Sequence, residues 1–358
     1  MRYERVFLDT LAFELAPMVV STAELEDRLA PAFRRLHIQP GQVEALTGIR
    51  ERRFWAPGTK VSEGAIKAAR RALADSPVSP EDLGALIFAG VCRDEYEPAT
   101  ATHVAAEIGV HPRAMVYDLS NACLGVLNGI LDLANRIELG QIRAGMVVSC
   151  ESAREIVDEM ISAMLAQEDP DLVVPGEVEK SLDAFRLGLA TLTGGSGAIA
   201  VIVTDGSFAP KRRRLVGGVN RNAPEHHLLC RWGVEKIDAE TYRPYMRTDS
   251  VKVLEHGVAL GRETFRDFLA ELSWTQEAID RVICHQVGAA HQAQILKTLE
   301  IPPEKDFATY GHLGNMGTVA LPAAAALAER RGFLAPGQRV AFLGIGSGLN
   351  CTMLGIEW

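Results

Sequence analysis

The 358-residue sequence predicts an α/β protein made of two copies of one α/β unit. Three observations carry this. Short strand-like runs alternate with helical patterns along the chain. Landmarks of the first half recur in the same order in the second. Apolar residues make up 47% of the chain and aromatics only 6%, a composition suited to small-residue helices packed closely on a sheet.

The elements follow in matched pairs. Residues 79–85 lead into a strand at 86–89, and residues 275–281 lead into a strand at 282–285. Residues 115–119 read as a strand and 120–122 as a turn. Residues 124–135 form a helix with apolar positions on a 3.6 period. The counterpart is the turn at 311–315, followed by the small-residue helix 320–327. Strands at 145–149 and 340–344 make the third pair. In this register Ala89 matches His285 and Cys123 matches Asn315, and a pseudo-twofold axis would bring these strand ends together. The expected units are 1–206 and 207–358. Residues 162–186 read as an insertion, with an acidic turn at 167–171, a break at 174–176 and a helix at 177–189; a lid, a dimer contact and a plain surface excursion all fit it.

Several function classes are disfavoured at this level. The net charge of −9 argues against a general nucleic-acid binder but leaves room for a polyanion met by a local basic cluster. The run Lys211–Arg214 is the one dense cluster, suited to phosphates or an acidic carrier protein, or to a solvated strand edge. No apolar run is long enough to span a bilayer. No signal peptide is expected, since the chain passes from Met1 straight into a strand-like run. Six dispersed cysteines form no disulfide framework and point to the cytoplasm. His226, His227 and Cys230 lack a second ligand pair, so no metal centre is expected. Cys92, Cys150, Cys284 and Cys351 read as packing.

Cys123 stands where a strand turns into an apolar helix. The positive end of the helix dipole would favour its thiolate, a nucleophile suited to an acyl group. His285 ends a strand, where open α/β sheets place their sites. Asn315 alone would read as a helix N-cap. The loop 344–350, Gly-Ile-Gly-Ser-Gly-Leu-Asn, has neither the Walker lysine nor the dinucleotide-binding spacing. It suits a backbone that closely approaches a reacting carbonyl and offers amides to an oxyanion.

Taken in order, Asn-Ala-Cys at 121–123, His-Gln-Val at 285–287, Gly-Asn-Met-Gly at 314–317 and the 344–350 loop resemble the thiolase superfamily, ketoacyl-ACP synthase III branch. The likeness runs from Thr47-Gly48-Ile49-Arg50-Glu51-Arg52 to the C-terminal loop. Segments 93–98, 120–124 and 343–351 are most similar to the enzymes that join two fatty acyl-CoAs head to head in olefin formation. The resemblance implies a duplicated five-layered α/β/α/β/α thiolase fold. It also implies an acyltransferase performing a non-decarboxylative Claisen condensation to a 2-alkyl-3-oxoacyl product. Cys123 would carry the first acyl chain, and the amides of Cys123 and Ser347 would bind its oxyanion. His285 and Asn315 would polarise the second thioester. Glu97, in a polar loop, would be a partly desolvated base that removes the α-proton, acting in the neighbouring subunit of a homodimer.

No cofactor is implied beyond coenzyme A as carrier and leaving group, and further pathway enzymes are possible partners. A decarboxylating 3-oxoacyl-ACP synthase III, and acyl transfer to an alcohol or amine, remain alternatives. The chain departs from that branch at Gln42 and Leu46, which stand where a Trp and an Arg clamp the coenzyme A adenine, and its 162–186 segment is longer than in the olefin enzymes.

Overall fold

The computed structural model describes residues 1–166, 177–208, 212–238 and 240–358. Its framework is one nine-stranded sheet in the order β11-β12-β13-β8-β1-β7-β6-β4-β5. In chain order these are β1 (Phe7–Leu15), β4 (Leu83–Ala89), β5 (Met115–Leu119), β6 (Ala144–Glu151), β7 (Gly197–Thr204), β8 (Arg214–Asn222), β11 (Arg281–Cys284), β12 (Arg339–Gly346) and β13 (Asn350–Glu357). A ribbon pairs β2 (Met18–Ser21) with β3 (Glu51–Phe54), and a hairpin joins β9 (Cys230–Lys236) to β10 (Tyr242–Thr248).

The duplication is written in the strand order. Outward from the centre, one arm runs β1-β7-β6-β4-β5 and the other β8-β13-β12-β11. In both arms the first three strands are joined by two antiparallel pairings and the fourth strand pairs parallel. The arms meet where β1 and β8 pair antiparallel at Phe7 and Arg214. The partner expected for β5 shrinks to a single parallel bridge between Val282 and Asp306.

Burial sorts the helices into layers. α6 (Gly125–Glu138) and α12 (Ala320–Arg330) share one core with apolar residues of both arms, including Ile87 and Val147 on one side and Ile283 and Phe342 on the other. A helix covered on two faces has little room for bulk, and α12 accordingly carries a run of alanines from 323 to 326, all buried. The outer face of the first arm is covered by α4 (Val61–Ala74) and α5 (Thr100–Ile108). That of the second is covered by α9 (Ser250–Leu272) and α10 (Ala289–Thr298). The result is the five-layered α/β/α/β/α arrangement.

A satellite core gathers α1 (Thr22–Arg28), α2 (Ala30–Leu36), α3 (Gln42–Thr47), α7 (Arg154–Leu165) and α8 (Glu177–Gly188). α8 realises the helix expected in the later part of the insertion, and its Phe185 packs edge-on against Phe33 at 5.6 Å. The acidic turn at 167–171 and the break at 174–176 lie outside the described residues. The remaining short helix, α11 (Tyr310–Leu313), precedes Asn315.

Two sequence features turn out to be structural. Arg213 donates to the Leu8 and Asp9 carbonyls and pairs with Glu329 at 2.7 Å, while Arg214 pairs with Glu357 at 2.8 Å. These two members of the basic run brace the junction of the arms. His226 stacks on His256 at 3.8 Å. No described helix is long and apolar enough to cross a membrane.

Candidate active site

The site grows from the turn that enters α6. Ala122 holds a left-handed φ of 46°, a conformation that costs a non-glycine residue about 1 kcal/mol or more. Leu124 and Gly125 then donate to the carbonyls of Asn121 and Ala122 at 2.9 and 3.3 Å. This tight elbow presents Cys123 just ahead of the helix.

Three other segments converge there. A Cβ placed on Gly125 would stand 3.4 Å from the Ala89 carbonyl, so the end of β4 lies against the elbow. A Cβ on Gly346 would stand 3.5 Å from the Cys123 nitrogen and 3.1 Å from Leu124, so the glycine-rich loop runs along it. A side chain there would press on Leu124, which would have to give by a few tenths of an ångström. The Val126 amide donates to Thr318 Oγ1 at 2.7 Å, which ties the Asn315 turn to the first turn of α6. His285 extends the ladder past β11, its amide donating to the Leu343 carbonyl at 3.0 Å.

Each functional group is held separately. The Asn315 amide donates to the Thr193 carbonyl at 2.8 Å, and its own carbonyl accepts from Gly195 at 2.9 Å. Its side-chain Oδ1 accepts from the Gly317 amide at 3.0 Å, so Nδ2 is the end presented to a ligand. Asn315 therefore caps its own turn rather than α12, which begins at Ala320. Asn350 Nδ2 donates to the Ser347 carbonyl at 3.0 Å and to Asn121 Oδ1 at 3.4 Å, joining the glycine-rich loop to the Cys123 turn.

His285 Nδ1 is buried with no hydrogen-bond partner. Burial, with His291 nearby, lowers the His285 pKa to about 4, so the ring is neutral at pH 7. Burial likewise lowers half-buried His291 to about 4. The sign of the linkage is definite. Below the ordinary value of 6.5 the unfolded chain takes up protons that these rings refuse until about pH 4. Their contribution to stability is complete above pH 6.5 and is lost as the pH falls through that window. The urea midpoint is expected to drop between pH 6.5 and 4, less steeply in a His291→Phe variant.

The thiol departs from the sequence expectation. Burial, then Cys230 and Glu151, push the Cys123 pKa up from 9.0 to about 12. That rise corresponds to about 4 kcal/mol, more than the ~0.3–1 kcal/mol a helix terminus supplies. The thiol is protonated at rest, and its proton must leave as sulfur attacks.

Glu97 stands apart from Cys123, His285, Asn315 and Ser347, which are half-buried. It is exposed, and neighbouring Tyr96 is 97% exposed. Leu46, at the missing adenine clamp, is 48% exposed. A surface cavity of about 600 Å³ lies between α3 and α11, lined by Gly48, Arg50, Tyr310 and His312, and none of Cys123, His285, Asn315 and Ser347 lines it. Sequence reasoning missed Glu151, which is 4% exposed at the end of a fully buried strand. A carboxylate closing the apolar run 144–150 was the available signal.

Residues 269–358 match the family model of the 3-oxoacyl-[acyl-carrier-protein] synthase III C-terminal region. The chain is 55% identical to an acyl-CoA:acyl-CoA alkyltransferase of Shewanella oneidensis and 34% identical to one of Xanthomonas campestris, each over 100% of both chains. This chain belongs to the acyl-CoA:acyl-CoA alkyltransferase family. A crystal structure of an OleA variant from Xanthomonas campestris superposes with a TM-score of 0.90 at 34% identity, covering 100% of this chain and 98% of that one. Another, with bound lauric acid and lauroyl-CoA, gives 0.89 at 34% identity and covers 99% and 100%. A β-ketoacyl-[acyl-carrier-protein] synthase III of Bordetella petrii is more distant, at 27% identity over 94% of this chain and 93% of that one. This chain thus has the thiolase-like fold and carries the ketoacyl synthase III signature over residues 269–358.

Proposed function

We propose that this alkyltransferase-family protein condenses two fatty acyl-CoAs by a non-decarboxylative Claisen reaction. The observation that carries the reading is the convergence of the Asn315 turn and the glycine-rich loop on the Cys123 elbow, with His285 laddered to the strand that leads into that loop. Cys123 sulfur attacks the first thioester carbonyl while His285 takes the thiol proton. The amides of Cys123 and Ser347 hold the oxyanion, and coenzyme A leaves as a thiol. His285 and Asn315 Nδ2 then donate to the carbonyl oxygen of the second acyl-CoA. Glu97 removes its α-proton, the carbanion attacks the acyl-Cys carbonyl, and the C–S bond breaks to release a 2-alkyl-3-oxoacyl-CoA. Coenzyme A is the only carrier this route needs.

The same proposal puts Glu97 in the partner site of a homodimer. Two features support this. The sheet ends on β5, whose apolar Val116 and Leu119 are only half-buried beside an unpaired edge. Ala89 pairs with Leu119, so the loop carrying Glu97 departs beside that edge.

Incubation with a single long-chain acyl-CoA tests the reaction. Free coenzyme A and a β-keto product, or the ketone from its decarboxylation, are expected. Condensation only with malonyl-ACP would assign the decarboxylating synthase reaction instead. Acyl esters or amides formed from added alcohols or amines would assign simple acyl transfer.

A further inference from the structure

Glu151 is a buried carboxylate that the mechanism above does not use. Its Oε1 accepts from the Val91 amide at 2.9 Å and its Oε2 from the Cys92 amide at 3.1 Å. Those two amides root the loop that leaves β4 and carries Glu97. Its opposite flank touches the Asn315 turn: a Cβ on Gly317 would stand 3.3 Å from Glu151 Cγ and 3.5 Å from Oε1. Gly317 is the residue whose amide fixes Asn315 Oδ1, and its φ of 55° favours glycine. The Glu151 carbonyl is itself pinned by Trp55 Nε1 at 3.1 Å. One side chain thus spans two segments that deliver different groups to the second half of the reaction.

We propose that Glu151 is a positioning residue for condensation, setting the root of the Glu97 loop against the Asn315 turn. This rests on the Claisen reading above. The first acyl transfer needs Cys123, His285 and the glycine-rich loop, none of which Glu151 holds by a hydrogen bond. Carbon–carbon bond formation needs a Glu97 and an Asn315, and within one chain Glu151 braces the root of the first and borders the turn of the second, although across the homodimer the two serve neighbouring sites. The geometry therefore separates the two halves of the cycle. Glu151 also adds to the high pKa of the Cys123 thiol, so its charge bears on acylation in the opposite sense.

The test is a pair of variants read by two assays. Glu151→Gln keeps the size but turns an amide nitrogen toward one of two backbone N–H groups. Its burst of coenzyme A, one per chain, is expected to stay within about twofold of wild type, while β-keto product formation falls about tenfold. The pH midpoint for alkylation of Cys123 by iodoacetamide is expected to fall. Glu151→Asp keeps the charge but withdraws it by one methylene, so product formation falls while the alkylation midpoint stays near wild type.

Equal losses of burst and turnover in both variants would overturn the proposal in favour of a purely structural role, and unchanged turnover would overturn it outright. If Glu151→Gln does not fold, Glu151→Asp alone decides by the same split. A wild-type protein that forms no β-keto product would instead refute the condensation reading, a failure distinguishable from that of Glu151.

Discussion

Replacing Cys123 with alanine is expected to abolish coenzyme A release and product formation, lowering turnover by about three orders of magnitude or more. Without the sulfur no covalent acyl chain forms, and water or a second thioester would have to attack with no nucleophile at the elbow. The fold should persist, because alanine fits the same turn and the contacts of Gly346 with the Cys123 backbone do not involve the thiol. Intact mass after exposure to one acyl-CoA decides the matter. Wild type should gain one acyl group per chain, and Cys123→Ala none. An adduct that survives in the variant would move the nucleophile to another residue. The raised thiol pKa adds a second signature: with its pKa near 12, alkylation of Cys123 by iodoacetamide should keep accelerating well above pH 9.

That pKa shows where reading the chain alone stops. Features set by neighbouring residues were legible. The strand expected at 115–119 coincides with β5, the helix after Cys123 with α6, and the matched landmarks with the mirrored strand order of the two arms. These follow from local periodicity and from a repeat that covers the whole chain. The helix end beside Cys123 was legible too, but its effect on the thiol was not. Desolvation depends on what closes over the sulfur, and the residues that do so, with Cys230 and Glu151 nearby, come from distant parts of the chain.

Asn315 shows the same limit on a smaller scale. Its position was evident, yet its role as an N-cap was not borne out. Gly317 and the one-turn helix Gly317–Val319 intervene before α12, and the carboxamide closes its own turn instead. Glu151 hid within a strand buried on both faces. A run such as 144–151 carries no alternation to show that its last residue faces polar partners. Glu97 lies at the far limit, since an exposed loop residue acquires a chemical setting only if a second chain supplies one.

The second large effect concerns that residue. Glu97→Gln is expected to retain the acylation burst and to lose condensation by about 10²–10⁴-fold, the usual contribution of a positioned base. The α-proton of a thioester is a weak acid, and neither His285 nor Asn315 replaces the carboxylate that takes it. Whether Glu97 serves its own chain or the partner is decided by mixing lesions. Purified heterodimers pairing a Cys123→Ala chain with a Glu97→Ala chain contain one intact site if the glutamate crosses the interface, because the lesions then fall together in the other site. About half of wild-type activity per dimer is expected, although both parent homodimers are inactive. If Glu97 acted within its own chain, each site of the mixed dimer would carry one lesion and activity would vanish. An inactive heterodimer alongside a normal acylation burst would place the base in cis, and a fully active Glu97→Gln enzyme would remove Glu97 from the reaction.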